Sequence, residues 1–110
     1  MKEVGSPFGS ASRTRTLLAL EILGQSYPRE LARLLGTPLS VVQKALQSLE
    51  RDALVAARAV GRTRIYQLDP RYFARNELRS FLTRLLVAED DLKSLAASLR
   101  RRPRRTGKRL

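Results

Sequence analysis

The 110-residue chain contains no cysteine, no histidine and no tryptophan, and only 10 acidic residues stand against 22 lysines and arginines. The missing cysteine and histidine exclude thiolate and imidazole zinc sites, disulfides, thiol nucleophiles and histidine general bases. A serine nucleophile would lack its usual imidazole, and no phosphate-cradling glycine loop occurs, so no enzyme constellation survives. A Ser–Lys pair stays formally open, but no pattern marks a pocket for it. Aromatics are few, 3 Phe and 3 Tyr, and they are not clustered as a single-strand stacking platform requires, which leaves RNA a weak option. Apolar runs are a few residues long, too short to span a membrane, and residues 1–10 lack the apolar stretch of a secretory signal. The expectation is a soluble, cytoplasmic protein with no cofactor and no metal.

What is abundant is positive charge, +12 in total. Such an excess calls for a polyanionic partner, with nucleic acid ahead of an anionic membrane surface. Seven of the basic residues fall in 100–110, beside Pro103 and Gly107, and read as a disordered basic tail. Residues 1–99 keep +5 without them. A tail of this kind binds polyanions whatever their sequence.

Between a flexible lead (1–10, with Phe8 its one anchoring residue) and that tail, the hydrophobic period defines the organisation. Ser12 is a cap candidate for a helix to about Leu23, with Leu17, Leu18, Leu20, Ile22 and Leu23 on a broad apolar face and Gly24 as its stop. Pro28 suits the first turn of a second helix, where Leu31, Leu34 and Leu35 share a face and Gly36 ends it. Thr37 and Pro38 open a third helix. Its Val42, Leu46 and Leu49 lie on the buried side, flanked by Val41 and Ala45, while Ser40, Gln43, Lys44, Gln47 and Arg51 lie opposite. After Asp52 the period drops to two: 54–60 and 64–68 read as strands around Gly61, Arg62 and Thr63, with Tyr66 and Leu68 pointing inward. A long helix is expected from Tyr72 to Arg100. Leu78, Leu85, Leu92 and Leu99 recur every seventh residue, with Phe81, Ala88 and Leu95 three positions after the first three. This a/d pattern predicts a homodimer seam, although Leu82 and Leu86 widen the stripe as a helix packed on its own domain would show.

The succession of Glu30, Leu31, Ala32, Leu35 and Gly36, then Val42, Leu46 and Leu49, then Leu54 and Val55 resembles the helix-turn-helix of ArsR- and MarR-type prokaryotic regulators. Residues 58–68, with Arg58, Gly61, Arg62, Arg64, Tyr66 and Leu68, resemble their wing. The resemblance covers residues 12–70. The metal ligands of the metal-sensing ArsR proteins are missing. Ser12 to Arg15, Tyr27 to Ala32, Val42 to Glu50 and Leu68 to Tyr72 are also similar to winged-helix domains associated with small prokaryotic nucleotidyltransferases, though no catalytic half is present.

The fold class expected is therefore mainly α with a small β-wing: a winged helix-turn-helix domain over 11–70, then a dimerisation helix over 71–99. The resemblance implies a sequence-specific, double-stranded-DNA-binding transcriptional regulator acting as a homodimer. The residues assigned to the recognition helix are Pro38, Ser40, Val41, Gln43, Lys44 and Gln47. Gln reads adenine bidentately and Lys contacts guanine. The wing contacts are Arg58, Arg62, Thr63 and Arg64, with Arg62 foremost because it follows the turn glycine, and Arg13 and Arg15 are candidate phosphate contacts. The dimer interface comprises Leu78, Phe81, Leu85, Ala88, Leu92, Leu95 and Leu99. The bland counterparts are a solvated helix face, edge-strand arginines that block aggregation, and a C-terminal helix folded back on its own domain. The rival functions are a sequence-tolerant architectural DNA binder, which Leu39 and Val41 exposed near the start of the third helix would favour, and a winged-helix protein-interaction module. A small organic effector or a protein partner stays open. Glu89, Asp90 and Asp91 are successive on a helix, point in different directions and read as a solvated patch rather than a hard-metal site.

Overall fold

In the computed structural model, residues 6–88 are described, together with Ser94 and Ala97. The element order is α1 (Ala11–Leu23), α2 (Pro28–Leu35), α3 (Leu39–Arg51), β1 (Val55–Val60), β2 (Thr63–Leu68) and α4 (Arg75–Val87). This is the expected order of three helices, a two-stranded wing and a following helix.

Helix starts and stops differ from the expectation by small, explicable shifts. The cap of α1 is Ser10, not Ser12: extended Ser10 accepts a hydrogen bond from the backbone N–H of Arg13 at 3.1 Å. Either serine could serve, but Gly9 at φ 108 turns the chain so that Ser10 is the residue in capping position. Pro28 occupies the first turn of α2 as anticipated, and Gly36 closes that helix in the left-handed region at φ 62, ψ 38. Pro38 stands at the N-cap of α3 rather than one position inside it. The last turn of α3 is closed by Ala53, a non-glycine residue at φ 66, whose neighbour Leu54 donates to the Leu49 carbonyl at 3.0 Å.

The core is a leucine cluster. Leu17, Leu18 and Leu20 of α1 are buried with Leu31 of α2, Val42, Leu46 and Leu49 of α3, Val55, Tyr66 and Leu68 of the ribbon, and Leu78, Leu82 and Leu86 of α4. Helix α1 sits centrally, packed by α2, α3, α4 and β2, which explains why its apolar face is so broad. Phe8 of the lead packs on the same cluster and lies 5.8 Å from the Phe81 ring.

The ribbon is antiparallel, in register from Val55 opposite Leu68 to Val60 opposite Thr63. Its loop is therefore two residues, Gly61 and Arg62, with Gly61 at φ 63 and Arg62 outside the positive-φ region, the pattern of a primed hairpin turn led by glycine. The strands begin at Val55 and Thr63 rather than at Leu54 and Arg64. The base of the ribbon is pinned by a feature absent from the sequence reading: Ser26 pairs with Tyr66, the Ser26 N–H donating to the Tyr66 carbonyl at 2.9 Å and the Tyr66 N–H returning the bond at 2.7 Å.

Helix α4 begins at Arg75, three residues later than expected. The Arg71 N–H donates to Asp69 Oδ1 at 2.9 Å and the Tyr72 N–H to the Asp69 carbonyl, so a turn consumes Tyr72 and Phe73. Its buried row is Leu78, Leu82 and Leu86, which are spaced by four and face α1. Leu78 thus corrects the heptad reading: it belongs to the domain's own core, because the i, i+4 row is the one α1 covers. Phe81 is 44% exposed, and Leu85 and Ala88 are half-buried. The remaining heptad positions, Leu92, Leu95 and Leu99, lie outside the described residues, as do the acidic run 89–91 and the basic tail. Among the described residues no helix is long and apolar enough to cross a membrane.

Candidate nucleic-acid interface

Helix α3 divides its surface sharply. Val42, Ala45, Leu46 and Leu49 are buried, and Pro38, Ser40, Gln43, Lys44 and Gln47 are exposed. Leu39 and Val41 are half-buried rather than exposed, so the start of the helix offers less bare apolar surface than the sequence suggested. The exposed residues fall on two sides. Gln43 and Gln47, one turn apart, look toward the wing across a groove of about 630 Å³ whose far wall is Arg62, Thr63 and Arg64 and whose end is Tyr27, Pro28 and Arg29 at the start of α2. Lys44 looks the other way, toward the start of α1, with Arg51, Ser12 and Ser48 around a shallower depression of about 350 Å³.

Strand alternation separates the three wing arginines. Arg64 shares its face with Tyr66 and Leu68, the side turned to the core and α3, and stands opposite Ala59. Arg58 stands opposite Ile65 on the other face, where its guanidinium donates to Gln25 Oε1 at 3.0 Å. Arg62 is at the hairpin tip and exposed.

Arg64 is engaged with its own domain. Its Nε donates to the Tyr66 hydroxyl at 3.3 Å, its guanidinium lies 5.7 Å from the Tyr66 ring centre, and its second terminal nitrogen reaches Glu50 Oε2 of α3 at 3.3 Å. The hydrogen bond to Tyr66, the attraction of Tyr66 and then the Glu50 carboxylate raise its pKa above the ordinary arginine value, so it stays charged. Among the described residues Arg62, Lys44 and Arg51 carry no such partner.

The candidate phosphate contacts fare differently. Arg13 corrects the expectation: its side chain is consumed internally. Its Nε donates to the Phe8 carbonyl at 2.6 Å, one terminal nitrogen bonds the Ser48 hydroxyl, and the other pairs with Asp52 at 2.8 Å. It ties the lead and the start of α1 to the end of α3. Arg15 is half-buried, with an Nε that has no hydrogen-bond partner among the described residues, beside a small cleft lined by Thr37 and Val41.

The sequence reading missed Glu50, Tyr27 and Arg29 as lining residues. Glu50 was within reach of simple arithmetic, since 43, 47 and 50 are spaced by four and three and must share a helix face. Arg29 and Tyr27 reach the groove only because the helix-turn-helix angle brings the start of α2 beside α3, which no local pattern encodes. Nearby, Glu30 is a buried carboxylate that accepts a hydrogen bond from the Ser26 hydroxyl at 2.5 Å. It fastens the start of α2 to the residue that also pins the wing.

No protein-family model matches the chain, and no curated protein sequence matches it. Solved structures do share its fold. A point variant of ZitR from Lactococcus lactis superposes with a TM-score of 0.61 at 16% identity, over 90% of this chain and 66% of that one. A double variant of ZitR gives 0.56 at 17% identity over the same shares, 90% and 66%. The adhesin competence repressor AdcR from Streptococcus pyogenes gives 0.58 at 17% identity, over 89% of this chain and 72% of that one. The chain spans about two thirds of the length of those ZitR chains. At this identity the likeness establishes the winged helix-turn-helix fold.

Proposed function

We propose that this chain is a sequence-specific double-stranded-DNA-binding transcriptional regulator. The observation that carries the reading is the groove in which Gln43 and Gln47 of α3 face Arg62, Thr63 and Arg64 of the wing. A convex polar helix face enters a major groove, and a basic hairpin tip beside it meets the flanking backbone or minor groove. Gln43 and Gln47 take base edges, with Ser40 and Pro38 near the helix start. Lys44 and Arg51, on the opposite side, suit phosphates of the far strand, a different role for Lys44 from the guanine contact first assigned to it. The fold shared with a repressor, AdcR, supports regulation as the purpose. The chain acts as a homodimer through the C-terminal helix, along Phe81, Leu85 and Ala88 and on through Leu92, Leu95 and Leu99, so its site is pseudo-palindromic. It works in the cytoplasm on the nucleoid.

The architectural reading draws its support from the seven basic residues of 100–110, which supply affinity without sequence preference. Fluorescence anisotropy on DNA upstream of the chain's own gene and on a scrambled duplex separates the two. The regulator reading expects Gln43→Ala/Gln47→Ala to lose the preference and a chain ending at Leu99 to keep it. Equal binding of both duplexes by every form, or dependence on the tail alone, sinks it.

A further inference from the structure

We infer that Arg64 is a positioning residue of the wing rather than one of its DNA contacts, anchored by Glu50 on the recognition helix. The inference rests on the DNA-binding reading and refines its site: of the three wing arginines, Arg64 is the one paired with a carboxylate, and Arg62 at the tip has no partner among the described residues. Strand alternation puts Arg64 on the inner face of the ribbon, above Tyr66, while the turn carries Arg62 beyond it. An exposed ion pair alone contributes little. Arg64, however, is held at three points, the Glu50 carboxylate, the Tyr66 hydroxyl and the Tyr66 ring, and Tyr66 is itself fixed to Ser26 through both backbone bonds. The chain of contacts runs from the α1–α2 connection through the ribbon to the C-terminal half of α3. It sets how far the wing tip stands from Gln43 and Gln47, and so the width of the groove they share.

Glu50 has a second consequence in the same place. Its carboxylate is an anion on the wall of an otherwise basic groove, so it neutralises the arginine beside it and repels a phosphate that strays into the groove. Phosphate contact is thereby concentrated at the tip.

The salt dependence of binding reads this directly, because each neutralised phosphate adds about 0.9 to the slope of log K against log salt. The full chain is titrated by anisotropy against a fluorescein-labelled duplex of scrambled sequence over a series of salt concentrations. Arg62→Ala lowers the slope by about 0.9 and Arg64→Ala leaves it at the wild-type value. Glu50→Gln steepens it by about 0.9, since Arg64, still held by Tyr66, is no longer neutralised and the groove takes up a phosphate, and Glu50→Gln/Arg64→Ala returns it to wild type. All three positions are solvent-exposed or half-exposed, and a thermal melt of each variant checks that it folds. A loss of about 0.9 on Arg64→Ala, equal to that of Arg62→Ala, makes Arg64 a phosphate contact and overturns the inference. An unchanged slope for Glu50→Gln also overturns it. Unchanged slopes for every variant, Arg62→Ala included, remove the wing from the interface altogether and defeat the underlying reading rather than this refinement.

Discussion

The base and the tip of the wing are two ends of one hairpin, six residues per strand, and they obey different rules. At the base, Val55, Tyr66 and Leu68 are buried in the leucine core and Ser26 adds a bridge to Tyr66. At the tip, Val60, Gly61, Arg62 and Thr63 are exposed. A hairpin of this size is marginal by itself, so the base must make it a fixed part of the domain. The tip is then free to present Arg62, which has no partner among the described residues. On the proposed reading, stability and DNA contact are segregated along the same two strands.

Substitutions at the two ends should therefore separate cleanly. The largest effect is expected for Tyr66→Ala, where loss of a ring that is 5% exposed should cost about 3 kcal/mol in chemical denaturation. A cost near zero would mean the wing is not held through its base. Next, Gln43→Ala/Gln47→Ala should narrow the gap between specific and scrambled duplex by about 1–3 kcal/mol without moving the melting temperature. Ser10→Ala, which removes the α1 cap, should cost about 1 kcal/mol of stability and leave the duplex preference alone. Arg62→Ala is expected to be the smallest on the stability scale, within about 0.5 kcal/mol of wild type, although it should weaken binding to any duplex. A destabilised Arg62→Ala would show that the tip is structural after all, and the segregation would be false.

The sequence revealed what short-range physics controls. Period 3.6 located α2 and α3 because Leu31, Leu34, Leu35 and Val42, Leu46, Leu49 each form one face, and the stops at Gly24 and Gly36 sit where the chain turns left-handed. Period two placed Tyr66 and Leu68 inward. Where two local solutions were nearly equivalent, neighbours decided: Ser10 instead of Ser12 as cap, and the row of Leu78, Leu82 and Leu86 in place of the heptad through Leu78 and Leu85. The latter depends on α1 lying beside α4, where Arg79 also clasps Glu21 at 3.0 Å, a long-range fact that a repeat of leucines does not contain. Charged side chains were the least legible. Arg13, Arg58, Arg62 and Arg64 look alike as letters in a basic chain. The fold gives the first to Phe8, Ser48 and Asp52, the second to Gln25 and the fourth to Glu50 and Tyr66, and leaves the third at the tip. Sorting them needs the ribbon register and the approach of α3, both tertiary.

On the proposed reading, the α3 face and the wing tip meet one duplex at adjacent places. The absence of cysteine allows a direct test, because a single Gln43→Cys or Arg62→Cys provides a unique attachment point for an iron–EDTA cleavage reagent. On DNA bearing the chain's preferred site, discrete cuts are expected from both positions, with those from position 62 displaced from those at 43 by roughly half a helical turn, about 5 base pairs. Cuts of equal strength from a reagent placed at Thr83, on the exposed side of α4, or no cuts from position 43, would contradict it.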